Sequence, residues 1–149
     1  MEISLGQKSG FIVKFKQVKL FIDEQESRIE AGEERLVLPG PGEFEFSGVS
    51  VNARQIAGKL VSIYDLEELR VTYLDGLKIK LSEENLNFLD GVDVLLVSGQ
   101  DEAMIRQIGP SLAISREPVN GISANRREKK LTVNKLSLPE ETELVILNG

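Results

Sequence analysis

Apolar and polar residues alternate at period two through most of the first half of the chain, as in Phe11-Ile12-Val13-Lys14-Phe15 and Val18-Lys19-Leu20-Phe21-Ile22. Successive side chains of a strand point to opposite faces, so this pattern predicts strands with one face buried. Lys16 and Gln17, between the two runs, predict a tight hairpin. Further strands are expected over 35–38, 43–46, 49–56, 59–64 and 69–74, separated by Gly, Pro and Asp residues that tolerate or preset turn dihedrals. Residues 24–34 show no such alternation and read as a loop. Leu74-Asp75-Gly76-Leu77 predicts a two-residue turn joining 70–74 to 77–81, because Asp and Gly tolerate the positive φ that a type I′ hairpin needs.

The period then changes. Ser82-Glu83-Glu84-Asn85-Leu86-Asn87-Phe88-Leu89 sets a capping serine before acidic residues and spaces Leu86 and Leu89 three apart, which predicts a short helix ending at Asp90-Gly91. Residues 92–97 are almost continuously apolar, as in a strand buried on both faces. Ala103, Met104, Ile105 and Ile108 fall at helical spacing within 101–108, and a strand follows at 112–114. Strand, helix and strand with short connections predict a parallel crossover. Residues 131–133 and 143–147 read as closing strands. With no repeat or linker, the expectation is one α/β domain over 1–149, rich in strand with few short helices.

A chain of 149 residues with 41% hydrophobic and 28% charged residues has the make-up of an ordinary globular domain with a real core. The net charge of −6 opposes attraction to nucleic acid or an anionic membrane. No run approaches the length of a membrane span, and the first residues lack the pattern of a signal peptide, so a cytoplasmic location is expected. The sequence holds no histidine and no cysteine. That excludes a disulfide frame and every zinc site built on imidazole or thiolate.

Gly40-Pro41-Gly42-Glu43-Phe44-Glu45-Phe46-Ser47-Gly48-Val49 is similar to a strand-turn-strand segment of the metallo-β-lactamase-like, zinc-dependent hydrolases. The order of Val71-Thr72-Tyr73-Leu74-Asp75-Gly76, Ser82-Glu83-Glu84, Gly91-Val92-Asp93-Val94-Leu95-Leu96-Val97 and Ile108-Gly109-Pro110 also resembles that family, so the likeness runs through most of the chain from about Leu36. It implies a shortened αββα sandwich of two mixed or antiparallel sheets, with one helical layer incomplete. Active members carry a His-x-His-x-Asp-His loop after the opening strands, whereas 24–34 holds no histidine and that loop reads as deleted. The resemblance sets the bridging aspartate on Gly76, with Asp75 one place early, and the terminal ligand histidine near Glu117. The metal ligands of the family are absent, and no cofactor is implied.

Carboxylates alone suit hard cations better than zinc. Glu43, Asp75 and Glu117 are therefore the candidates for a relocated, carboxylate-based hydrolytic site. Glu43 and Glu45 share one strand face, a pattern that a solvated face also gives, with Phe44 and Phe46 turned to the core. Arg126, Arg127, Lys129 and Lys130 form the one basic cluster, a candidate nucleic-acid contact that lacks interleaved aromatics for stacking. The leading expectation is a non-catalytic domain that binds a protein partner or small ligand. Sheet surface left bare by a missing helical layer would need cover, which makes a homodimer the expected assembly.

Overall fold

Twelve of the buried side chains between the sheets come from strands that the alternation marks, and they drive two sheets to stack face to face. The computed structural model describes residues 1–8, 10–76, 80–99 and 102–148. Its elements begin with β1 (Glu2–Leu5), β2 (Phe11–Phe15), β3 (Val18–Ile22), β4 (Ser27–Ala31), β5 (Glu34–Val37), β6 (Gly42–Phe46), β7 (Val49–Ile56), β8 (Lys59–Leu66) and β9 (Leu69–Asp75). They continue with α1 (Glu83–Phe88), β10 (Val94–Ser98), α2 (Glu102–Ile108), β11 (Leu112–Ser115), β12 (Arg126–Glu128), β13 (Lys130–Thr132), a 3₁₀ turn at Lys135–Ser137 and β14 (Glu143–Leu147).

The first sheet has the order β13-β1-β2-β3-β4-β5 and the second β12-β14-β11-β10-β9-β8-β7-β6. Four antiparallel strands, β6 to β9, begin the second sheet as a meander of hairpins. Ser47-Gly48 and Ala57-Gly58 take positive φ at both central positions of their turns, as type I′ hairpins require. From β9 onward the pairing is parallel, through β10, β11, β14 and β12. Residues 92–114 form the expected parallel crossover, and the serine cap of α1 is present, Ser82 Oγ accepting from the Asn85 amide at 3.1 Å.

The apolar run of β10 explains why its neighbours pack on both sides. Val94 and Leu96 point between the sheets, while Leu95 and Val97 point to the helices, where they meet Leu89, Met104 and Ile105. Both α-helices lie on that outer face of the second sheet. The first sheet carries no helix among the described residues, so one of the two helical layers is missing. Its outer face carries one charged row and a second row of Ser4, Ile12, Phe21, Arg28 and Val37, three of them apolar. Glu2, Lys14, Lys19, Glu30 and Arg35 are consecutive cross-strand neighbours, and three of the four contacts join opposite charges. Beside them the Arg28 guanidinium lies 4.3 Å from the Phe21 ring centroid and bonds Glu30 at 2.6 Å. The charged row can meet water directly. Among the described residues, no helix is long and apolar enough to cross a membrane.

Two local expectations change. The segment 24–34 contains a strand, β4, paired on both sides in the first sheet. Only Ile29 within it is fully buried, which leaves the alternation too faint to see. The Asp75-Gly76 hairpin does not form as expected. Asp75 pairs with Ser98 of parallel β10, the Gly76 amide donates to the Ser98 carbonyl at 3.0 Å, and β8 occupies the other edge of β9. Of the proposed return strand, Leu77, Lys78 and Ile79 lie outside the described residues, and Lys80 and Leu81 belong to no strand.

The loop before β2 is locked by contact. A Cβ on Gly10 would sit 2.7 Å from the Ile22 carbonyl oxygen and 2.8 Å from the Asp23 Cβ. Gly10→Ala is therefore expected to destabilise the fold by about 1–3 kcal/mol, the usual cost of overpacking, read as a lower urea midpoint at unchanged slope.

Candidate functional site

Because the parallel strands run in one direction, their C-terminal ends gather on one edge of the sandwich, where ligands commonly bind in open α/β sheets. Asp75 ends β9, Ser98 ends β10, and Arg116 and Glu117 follow β11. Arg116 crosses to the first sheet, its Nη2 donating to the Gly6 and Gly10 carbonyls at 2.9 Å each. Next to this edge, a cleft of about 650 Å³ opens between the sheets. The turn after β3 forms one wall, where the Asp23 carboxylate accepts from the Gln25 and Glu26 amides at 2.8 Å. The β7–β8 turn and the end of β9 form the other, with the Lys59 ammonium donating to the Asp75 carbonyl at 2.6 Å and lying 4.0 Å from its carboxylate.

Tyr64 lies at the base of the cleft. It is 1% exposed, and its hydroxyl has no hydrogen-bond partner among the described residues. Burial pushes its phenol up to about 12. The Ser27 and Ser62 hydroxyls lie close enough to oppose that rise, but neither reaches hydrogen-bonding geometry with it. An unpaired buried hydroxyl is costly, and native proteins satisfy nearly all such groups.

The expected site residues fall in different places. Asp75 and Glu117 share the strand-end edge, with β10 between their strands. Glu43 is exposed on β6, opposite Asn52. Its neighbours Phe44 and Phe46 pack into the layer between the sheets, so Glu43 faces outward, whereas Asp75 lines the cleft between the sheets. Among the described residues no group of three His, Cys, Asp or Glu side chains is placed to hold a metal ion. Zinc centres of hydrolases need three protein ligands, mainly imidazole, thiolate and carboxylate. With no histidine or cysteine and no acidic triad among the described residues, the groups present do not fit a zinc centre. The basic cluster straddles the passage from β12 to β13, where the chain crosses between sheets. Arg126 lies 4.0 Å from Glu143 and Lys130 lies 3.7 Å from Glu2; Arg127 and Lys129 are exposed.

The arrangement has a counterpart among solved structures. A crystal structure of a proposed Zn-dependent hydrolase of the metallo-β-lactamase superfamily from Thermotoga maritima is similar over 100% of both chains, with a TM-score of 0.80 at 14% sequence identity. The fold is metallo-β-lactamase-like. No family model and no curated protein matches the sequence. At this identity the likeness carries the architecture alone, and the metallo-β-lactamase-like sandwich is present here without the nitrogen and sulfur ligands that would make a zinc site.

The alternation hid Tyr64, Ser27 and Lys59 as residues that line the cleft. One signal was available. Leu60, Ser62, Tyr64 and Leu66 share a strand face, so two polar-tipped side chains stand on a face that is otherwise apolar.

Tyr64→Phe removes the unpaired oxygen and is expected to stabilise the fold by roughly 1 kcal/mol near neutral pH. A phenol whose folded pKa is raised favours the fold below its ordinary value near 10, and that contribution is lost as pH rises toward about 12. The advantage of Tyr64→Phe should therefore widen by roughly 1 kcal/mol between about pH 9 and pH 11, as measured by paired urea titrations.

Proposed function

We propose that this chain is a non-catalytic metallo-β-lactamase-like domain that binds a small ligand in the cleft between its sheets. The observation that carries this reading is the pairing of a cleft at the strand-end edge with a donor set that cannot build a zinc centre. A hydrolase of this fold would draw its nucleophile from metal-bound water. Here the wall offers carboxylates, one amine and a buried phenol. Lys59 is engaged with Asp75, and Asp23 with its own turn amides. A 650 Å³ cleft is the right size for a small molecule.

The reading is tested by assaying ester, lactam and phosphodiester substrates with added Zn²⁺ or Mn²⁺. No turnover above the metal-only background is expected. Robust turnover that a chelator abolishes would contradict it.

A further inference from the structure

Every residue of the six strands of the first sheet is described, so the charges on its outer face form a closed set. Lys14, Lys19, Arg28, Arg35 and Lys130 stand there with only Glu2 and Glu30. Arg28 bonds Glu30 at 2.6 Å and Lys130 lies 3.7 Å from Glu2, so both carboxylates already have a cation. At the rim, Glu26 shares the Arg28 guanidinium and Asp23 is bonded to its own turn amides. Lys14, Lys19 and Arg35 are exposed and form no ion pair among the described residues. Lys14 and Lys19 are also direct cross-strand partners, a placement of like charges that costs stability. A basic row thus crosses β2, β3 and β5 of a chain whose net charge is −6.

Beside this row, about 7 Å along the strands, runs the second one. Ile12 and Phe21 are cross-strand partners in it, and Val37, 40% exposed, follows Arg28. A hollow of about 210 Å³ opens next to them, lined by Gly10, Ile12, Phe21 and Arg28.

Basic and apolar rows side by side call for a partner that carries an acidic and an apolar stripe in the same spacing. Nucleic acid offers no apolar stripe, and Phe21, the one aromatic of the two rows, already has Arg28 over its ring, which leaves a base little to stack on. A second copy stacked face on face would set unpaired cations against unpaired cations. An amphipathic helix presents both stripes at once. Laid across the strands it repeats about every 5.4 Å, close to the strand spacing of about 4.8 Å, so successive turns fall over successive strands.

We infer that the outer face of the first sheet docks an acidic amphipathic helix of a protein partner. Its carboxylates pair with Lys14, Lys19 and Arg35, and one of its apolar side chains enters the hollow beside Phe21. This surface is separate from the cleft and does not rest on the ligand-binding reading above.

The probe is a synthetic helix with adjacent Glu and Leu stripes, titrated into the isotope-labelled whole chain and followed by amide shifts. Its controls are the same residues in scrambled order and the same helix with Lys in place of Glu. The acidic helix should bind saturably and at least about tenfold tighter than either control, the scale of a few exposed ion pairs held in register. The shifts should centre on Lys14, Lys19, Phe21 and Arg35 and spare the cleft. Lys14→Glu with Lys19→Glu should weaken binding by at least about tenfold, and the milder Lys14→Gln with Lys19→Gln should weaken it less in the same direction. Arg127→Glu with Lys129→Glu makes the same change in net charge elsewhere and should bind as the unaltered chain does. No saturable binding, equal binding of the scrambled peptide, shifts centred elsewhere, or equal weakening by both charge reversals overturns the proposal. So does binding of duplex DNA or phosphatidylserine vesicles through the same lysines without binding of the helix, or self-association of the chain that Lys14→Glu with Lys19→Glu abolishes.

Discussion

Ile3, Phe11, Val13, Leu20 and Ile29 of the first sheet meet Val71, Val94, Leu96, Ile114 and Val145 of the second in a layer closed to water. Each such side chain contributes roughly 1.5–3 kcal/mol when fully buried, so this layer outweighs any single polar contact in the molecule. Its consequences reach every other feature. Stacking fixes which face of each strand is inward, which in turn places Asp75 in the cleft and Glu43 outside it. It also buries Tyr64 deep enough to separate its hydroxyl from water. The apolar layer is continuous from β1 to β14.

The two sheets were legible to different degrees. Strands with one buried face alternate visibly, and β2, β3 and β7 match their expected bounds. β10 reads as continuous because it is buried on both faces. β4 escaped notice, since Arg28 and Glu30 satisfy each other on the surface and Ile29 alone fills the core. β12 is three residues with none buried, so pairing with β14 defines it and its own side chains do not. At Asp75-Gly76 the local turn chemistry was real, Gly76 having φ of 60°, but the neighbouring β10 and β8 already held both edges of the strand. A tertiary pairing overrode a local preference. Asp75 and Glu117, the candidates drawn from the family resemblance, lie at the strand-end edge, and Glu43, taken from the strand alternation, lies on the outer face of β6. Tyr64 stands in the sequence only as a polar tip on an apolar strand face, and its place at the cleft depends on the second sheet and the turn after β3 being brought around it.

The two ends of the sandwich differ in how their polar groups are used. At the end opposite the cleft, Lys16 pairs with Glu67, Arg70 with Asp65 at 2.9 Å, and Lys135 with Asp93 at 3.0 Å. Asp93 also accepts from the Arg70 amide at 2.8 Å, which sets the start of β10 beside β9. These groups complete one another and lock strand register. At the cleft end the buried Tyr64 oxygen is without a partner among the described residues.

The metallo-β-lactamase-like sandwich is built on apolar packing, and we propose that it holds no zinc centre. Equilibrium dialysis of the purified chain against micromolar Zn²⁺, followed by elemental analysis, tests it most directly. Zinc far below one equivalent per chain is the predicted result. A stoichiometric complement of zinc retained after dialysis would contradict the account.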